Sequence, residues 1–283
     1  MTITEGYGKD NSTIRLYYPW GLFVDDDGTA IIVDYGNDRI VQWKMDETNG
    51  QVIAGGFGKG KRLNKLNEPT DVLIDKETDS LIICDSGNRR VVQWSHRNGT
   101  SEGKVLFDHI ACRGLAIDDQ GYLYISDTDK HEVKQYRIGN KNGSVVAGGH
   151  GRGNETKHLN VPSYVFVDRQ QAVYVSDNNN HRVMKWNKDA KEGIVIAGGH
   201  DKGTTLKQLR NPNGLFVDAC GTLYVADSVN NRVMRWREGA KNGTIIVGRN
   251  GHLSVPMGLS FDRYGNLYVV DRDNHHVQRF SIE

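Results

Sequence analysis

Asn211–Trp236 reads NPNGLFVDACGTLYVADSVNNRVMRW. Three runs of β-branched and aromatic residues, Gly214–Asp218, Thr222–Ala226 and Arg232–Trp236, are separated by clusters of Gly, Asn and Asp. Such runs predict short strands joined by tight turns. Thr244–Val247 supplies a fourth strand, so the unit is a four-stranded meander.

The unit recurs along the whole chain. The Asp that closes the first strand returns as Asp25, Asp75, Asp118, Asp168, Asp218 and Asp262. The Asp after the second strand returns as Asp34, Asp85, Asp127, Asp177, Asp227 and Asp271. The aromatic that closes the third strand returns as Trp43, Trp94, Tyr136, Trp186, Trp236 and Phe280. Four strands in a period of 43–50 residues predict a β-propeller. The fold class read here is all-β: a six-bladed β-propeller of four-stranded antiparallel blades, one domain over residues 1–283. The sixth copy lacks a fourth strand. Thr2–Thr4 matches the fourth strands Val52–Ala54 and Val195–Ala197 in its distance from the next Pro. The N-terminal strand is therefore expected to close the last blade and remove an open edge.

Composition narrows the function. With 37% hydrophobic and 25% charged residues the chain is an ordinary globular sequence. A net charge of +1 gives no bulk argument for nucleic acid. No apolar run approaches 18 residues, so no membrane span is expected. Cys84, Cys112 and Cys220 fall at unrelated repeat positions and read as reduced thiols. No signal peptide is read at the N-terminus, and with the scattered cysteines this favours the cytoplasm. Five Asn-x-Ser/Thr sites, Asn11, Asn98, Asn142, Asn154 and Asn242, leave an extracellular location open. The Asn-Gly pairs at Asn98, Asn142 and Asn242 read as hairpin turns before the fourth strand.

Two repeated features read as structural. Asp34/Arg39, Asp85/Arg90, Asp177/Arg182 and Asp227/Arg232 keep one spacing across the second turn. Catalysis does not need one pair four times, whereas a carboxylate that accepts N–H groups and pairs with a guanidinium suits a turn. Blade 3 has Asp127/Glu132 there and blade 6 has Asp271/His276. The repeated Trp43, Trp94, Trp186 and Trp236 read as packing between blades.

The unit P-x-G-L-x-V-D-x-x-G-x-L-Y-V-x-D-x-x-N-x-R-V, complete from Pro212 to Val233, resembles the NHL repeat. Asn180-His181-Arg182-Val183 and Asn274-His275-His276-Val277 carry the same corner of the motif. The resemblance spans the chain and implies the six-bladed fold. Members of that family include tripartite-motif proteins that bind RNA or protein, extracytoplasmic sensor domains and a peptide-amidating lyase, so it does not choose a function.

Function in repeat proteins tends to sit where the copies differ. The start of each first strand, expected at a channel mouth, carries Trp20, Thr70, Asp71, Arg113, Ser163, Tyr164, Asn213 and Met257. These are the expected ligand-binding residues. Loops from one blade to the next carry net +6 on a chain of net +1. Lys59, Lys61, Arg62, Lys65, Arg152, Lys157, Lys202, Lys207, Arg210 and Arg249 make the expected basic loop face. His131, His181 and His275 read as exposed turn residues, one per blade and too far apart to share an ion. His150 and His200 are likewise one per blade. No catalytic residue, metal site or cofactor is read. The expected function is a non-catalytic interaction scaffold, a monomer as an isolated domain, with a protein or RNA partner on the loop face. The alternative is a channel-centred metal-dependent lyase or hydrolase.

Overall fold

The structure, a computed structural model, describes residues 2–4, 15–44, 47, 49–95, 102–248 and 251–282. Blade 1 holds β1 (Leu22–Val24), β2 (Ala30–Asp34), β3 (Arg39–Trp43) and β4 (Gln51–Gly55). Blade 2 holds β5 (Asp71–Asp75), β6 (Ser80–Asp85), β7 (Arg90–Ser95) and β8 (Lys104–Asp108). Blade 3 holds β9 (Cys112–Ile117), β10 (Tyr122–Asp127), β11 (Glu132–Arg137) and β12 (Ser144–Gly148). Blade 4 holds β13 (Pro162–Val167), β14 (Val173–Asp177), β15 (Arg182–Trp186) and β16 (Ile194–Gly198). Blade 5 holds β17 (Pro212–Val217), β18 (Leu223–Asp227), β19 (Arg232–Trp236) and β20 (Thr244–Val247). Blade 6 holds β21 (Pro256–Phe261), β22 (Asn266–Asp271) and β23 (His276–Ser281). Each sheet is an antiparallel meander in chain order. These are the blades of a six-bladed β-propeller, as the repeat predicts. Among the described residues, helix is confined to four single 3-10 turns, and no helix is long and apolar enough to cross a membrane.

The chain divides into two compact units, Met1–Ile110 with Met257–Glu283, and Ala111–Pro256. In the first, Ile31, Ile40, Leu81, Ile83 and Trp94 pack into one core. In the second, Tyr124, Val133, Val175, Met184 and Trp186 do the same. A repeated leucine joins these cores from the loops. Leu16, Leu66, Leu159, Leu209 and Leu253 each precede a first-strand Pro by three residues, and none exceeds 2% exposure. Burying such a side chain stabilises by roughly 1.5–3 kcal/mol.

Trp43, Trp94, Trp186 and Trp236 are buried, as expected, and so is Tyr136, while Phe280 is half-buried. Their neighbours correct the hairpin reading of the Asn-Gly pairs. Gly143 and Gly243 are not in the left-handed region. A Cβ on Gly243 would lie 2.6 Å from the Trp236 ring, and one on Gly193 2.7 Å from Trp186. The glycine makes room for an aromatic face. Asn11 and Asn98 lie outside the described residues.

Two further expectations change. Cys84 and Cys112 are disulfide-bonded, and only Cys220 is free. Both bonded cysteines are fully buried in strands, a placement their spacing does not reveal. Beside β23 the N-terminus forms one isolated bridge, Thr2 with Gln278. Ile3 N–H donates to Val277 O at 3.0 Å, and Val277 N–H donates to Thr4 Oγ1 at 2.9 Å. Among the described residues the sheet of blade 6 has three strands, with residues 2–4 bonded beside β23 but not part of a regular fourth strand.

Candidate functional site

The Asp–Arg pairs are buried ion pairs. Nε of Arg39, Arg90, Arg182 and Arg232 lies 2.6–2.7 Å from Oδ2 of Asp34, Asp85, Asp177 and Asp227. Burial pushes these carboxyls up, while Asn and Arg donors pull them back down. What they hold is the loop that enters the same blade. Arg90 donates to Lys61, Arg62 and Lys65 carbonyls. Arg182 donates to Asn154, Glu155 and His158 carbonyls. Arg232 donates to Thr204, Thr205 and Gln208 carbonyls. The same aspartates accept the N–H of Tyr17, Asn67, Asn160 and Arg210. The structural reading of the pair is right, and its object is a loop 17–29 residues upstream.

These staples place the basic residues. Lys61, Arg62, Arg152, Lys202, Lys207 and Arg210 are exposed, and Lys65 and Lys157 half-buried. Lys59 pairs with Glu68 at 2.6 Å, and Lys157 with Glu155 at 3.5 Å. Arg249 lies outside the described residues. The loops do not simply fan open at the second-turn end. Leu63, Thr156 and Leu206 carbonyls accept Gly103, Gly193 and Gly243 N–H groups at 2.8–2.9 Å, just before the fourth strands and at the other end of each blade. The middle of each long loop thus reaches down its blade.

The turn histidines are not simply exposed. Nδ1 of His131, His181 and His275 accepts the N–H of Val161, Asn211 and Tyr18, each just before the next first strand. Asp38 and Asn231 do the same for Glu68 and Val255. All five acceptors have positive φ, 54–60°. One left-handed corner therefore clasps the start of the following strand, and His275 is 9% exposed. The sequence shows the shared position but not the distant N–H group that occupies it.

The expected ligand residues divide by unit. In the second, Ser163, Tyr164 and Asn213 are buried and Arg113 half-buried. Ser163 Oγ donates to Pro212 O at 3.1 Å. Asn213 donates to Ser228 Oγ at 2.8 Å and accepts from Asn178 Nδ2 at 3.2 Å. Ser126 and Ser176, missed in the sequence, tie Ser163 O and Asn213 O. This polar ladder joins neighbouring first strands. In the first unit Thr70, Asp71 and Met257 are buried. Thr70 donates to Cys84 Sγ at 3.1 Å, and Asp71 accepts Val72 N–H at 3.0 Å.

Trp20 differs. It is half-buried, whereas Trp43, Trp94, Trp186 and Trp236 are at most 3% exposed. Its ring meets Tyr35 at 5.0 Å. The Arg272 guanidinium lies 5.2 Å from the Trp20 centroid and 5.0 Å from that of Tyr18. Tyr18 in turn meets His275 edge-on at 4.5 Å, with Tyr17 stacked on the same imidazole at 5.3 Å. On the other side, Lys59 holds the Glu68 carboxyl below its usual range, with a smaller contribution from Tyr35. The result is one connected strip of half-buried aromatic rings and cations. Tyr17, Tyr18, Tyr35 and Arg272 went unsingled in the sequence because the strip joins blades 1 and 6. Among the described residues no three His, Cys, Asp or Glu side chains group as a metal site.

No family model matches the chain, and no curated protein matches it. Solved structures do. An auxiliary nutrient binding protein from Bacteroides thetaiotaomicron superimposes with TM-score 0.77 and 13% identity, over 100% of this chain and 76% of that one. Virginiamycin B lyase from Staphylococcus aureus gives TM-score 0.58 and 11% identity, over 94% and 83%. A gluconolactonase from Xanthomonas campestris gives 0.55 and 21%, over 71% and 72%. At these identities the likeness is one of fold.

Proposed function

We propose that the chain is a non-catalytic binding module, and that the Trp20–Arg272 strip of the first unit takes an acidic protein segment. The observation that carries this reading is the one tryptophan of five left half-buried, with a guanidinium held over it. Trp, Tyr and Arg are the residues that dominate protein interfaces, where fixed rings lose little entropy on binding. Exposed Phe57 and Leu63 add apolar surface on the loop that Arg90 holds, and Lys61 and Arg62 add positive charge. Acidic partners complement that charge. The nutrient binding protein of the same fold supports a binding role. The NHL-type reading of the repeat belongs to the same proposal and rests on the Asp–Arg corner.

Trp20 reports its own occupancy, because the other four tryptophans are shielded. Titration with an oligoglutamate-containing peptide at low salt is expected to shift Trp emission, and Trp20→Ala and Arg272→Ala to abolish the shift. A response to single-stranded oligouridylate instead, weakening steeply with salt, transfers the site to nucleic acid. No response to either removes the reading. Stoichiometric calcium or zinc in the purified protein, found by elemental analysis, would favour the lyase or hydrolase alternative.

A further inference from the structure

In the second unit the first turns of three blades align as Asp118-Asp119-Gln120-Gly121, Asp168-Arg169-Gln170-Gln171 and Asp218-Ala219-Cys220-Gly221. Oδ1 of each aspartate accepts N–H groups of its own turn. Oδ2 accepts the hydroxyl of Tyr124, Tyr174 or Tyr224 at 3.0–3.3 Å. Asp118 Oδ2 takes a second donor. The Gln171 amide reaches back from blade 4 and bonds it at 3.2 Å. The matching residue of blade 5 is Gly221, which has no side chain to reach Asp168.

Where that amide is missing, a cleft of about 600 Å³ opens between blades 4 and 5. Asp168, Phe166, Phe216, Gln170, Lys185 and Glu238 line it. Phe166 and Phe216 are half-buried and meet edge to face at 5.5 Å. Lys185 Nζ lies 5.0 Å over the Tyr174 ring. Between blades 3 and 4, where Gln171 is in place, a groove of about 560 Å³ is lined by Tyr124, Gln135, Gln171 itself and fourth-strand residues Ser144, Val145 and Val146, and Asp118 is not in its lining.

We propose that this cleft binds a neutral sugar of monosaccharide size. Asp168 Oδ2 accepts one donor where its counterpart accepts two, so the ligand should bring an O–H in place of the Gln171 N–H. The paired phenyl rings offer an apolar face to the C–H side of a sugar ring. Gln170, Lys185 and Glu238 supply donors and acceptors for the remaining hydroxyls. Lys185 and Arg169 disfavour a cation, and Asp168, Asp218 and Glu238 disfavour an anion, which leaves a neutral ligand. The volume is ordinary for a small-molecule site. This site shares no residue with the strip proposed above.

The protein supplies its own control. Gln171 sits at φ +60° and Gly221 at +75°, so the turn accepts glutamine there. Saturation-transfer NMR with D-glucose, D-galactose, D-mannose, D-xylose and L-fucose is expected to show contact for at least one. Gly221→Gln should abolish it by donating to Asp168 Oδ2 in the ligand's place, as Gln171 does to Asp118. Gly221→Ala, equally strained but too short to reach Asp168, should retain it. Silence of all five sugars with the natural protein overturns the proposal. So does undiminished transfer in Gly221→Gln, or equal loss in Gly221→Ala.

Discussion

Blades 5 and 3 carry the same second turn with different equipment. In blade 5, Asp227 takes Arg210 N–H and Arg232 Nε, and Arg232 reaches three carbonyls of the incoming loop. In blade 3, Asp127 takes the N–H groups of Asp129 and Lys130 in its own turn, and Glu132 pairs with Lys134. The difference lies upstream. Residues 199–211 lead into β17, whereas only 109–111 lead into β9. Blade 6, with Asp271 bonded to His276 at 3.0 Å, also follows a shortened connection. Arginine stands where there is a long loop to hold. The apparent lapses of the repeat in blades 3 and 6 follow from loop length.

The sharpest way to break this comparison is to remove each partner. Arg232→Ala strands the buried Asp227 carboxylate and should destabilise by about 3–5 kcal/mol. Glu132→Ala removes the buried carboxylate itself and leaves half-buried Lys134 able to turn to solvent, so it should cost less, about 1–2 kcal/mol. Equal shifts of the urea midpoint would end the loop-holding account. Next, Leu209→Ala, in the long loop of blade 5, should cost about 2–5 kcal/mol in the same assay by opening a cavity. Thr4→Val leaves Val277 N–H without its acceptor at the open side of blade 6. A loss of about 1–3 kcal/mol is expected, with faster amide exchange at Val277. Unchanged exchange would mean the N-terminal segment does not seal that sheet.

The smallest effect is a pH dependence of the corner clasp. Burial, then Lys202 and Arg210, hold His181 below the usual imidazole range, and burial leads for His275. The unfolded chain therefore takes up these protons first. The stability they contribute is whole above pH of about 6.5 and is lost as pH falls below it. His181→Asn with His275→Asn keeps an acceptor, as Asn231 shows at 2.9 Å. The double variant should lie within about 1 kcal/mol of the parent at pH 7 and lose less stability on acidification. Melting curves at pH 5 and 7, buffer values of about those figures, would show it.

The blades were legible because their signals are local. Alternation, turn residues and three landmarks per copy lie within one meander, and the arginine pair repeats too often to be catalytic. Trp20 could be picked out as the tryptophan out of register, and it is the half-buried one. What stayed hidden joins residues far apart in sequence. The arginines bind carbonyls, which leave no mark on side-chain identity. The loop leucines lack strand or helix periodicity. The Cys84 and Cys112 bonds obey no spacing rule. Gln171 and Gly221 look like ordinary turn variation until the gap between two copies is seen.

The arginine staple grips its loop through peptide oxygens, whatever side chains flank them. Lys61, Asn154 and Thr204 occupy one slot, and Lys65, His158 and Gln208 another. A scaffold that fastens its connectors by the main chain, with one buried leucine in each, leaves the lettering of the gripped slots unconstrained. Such connectors are interchangeable cassettes, and new specificities could be written into them without rewriting the ring that carries them.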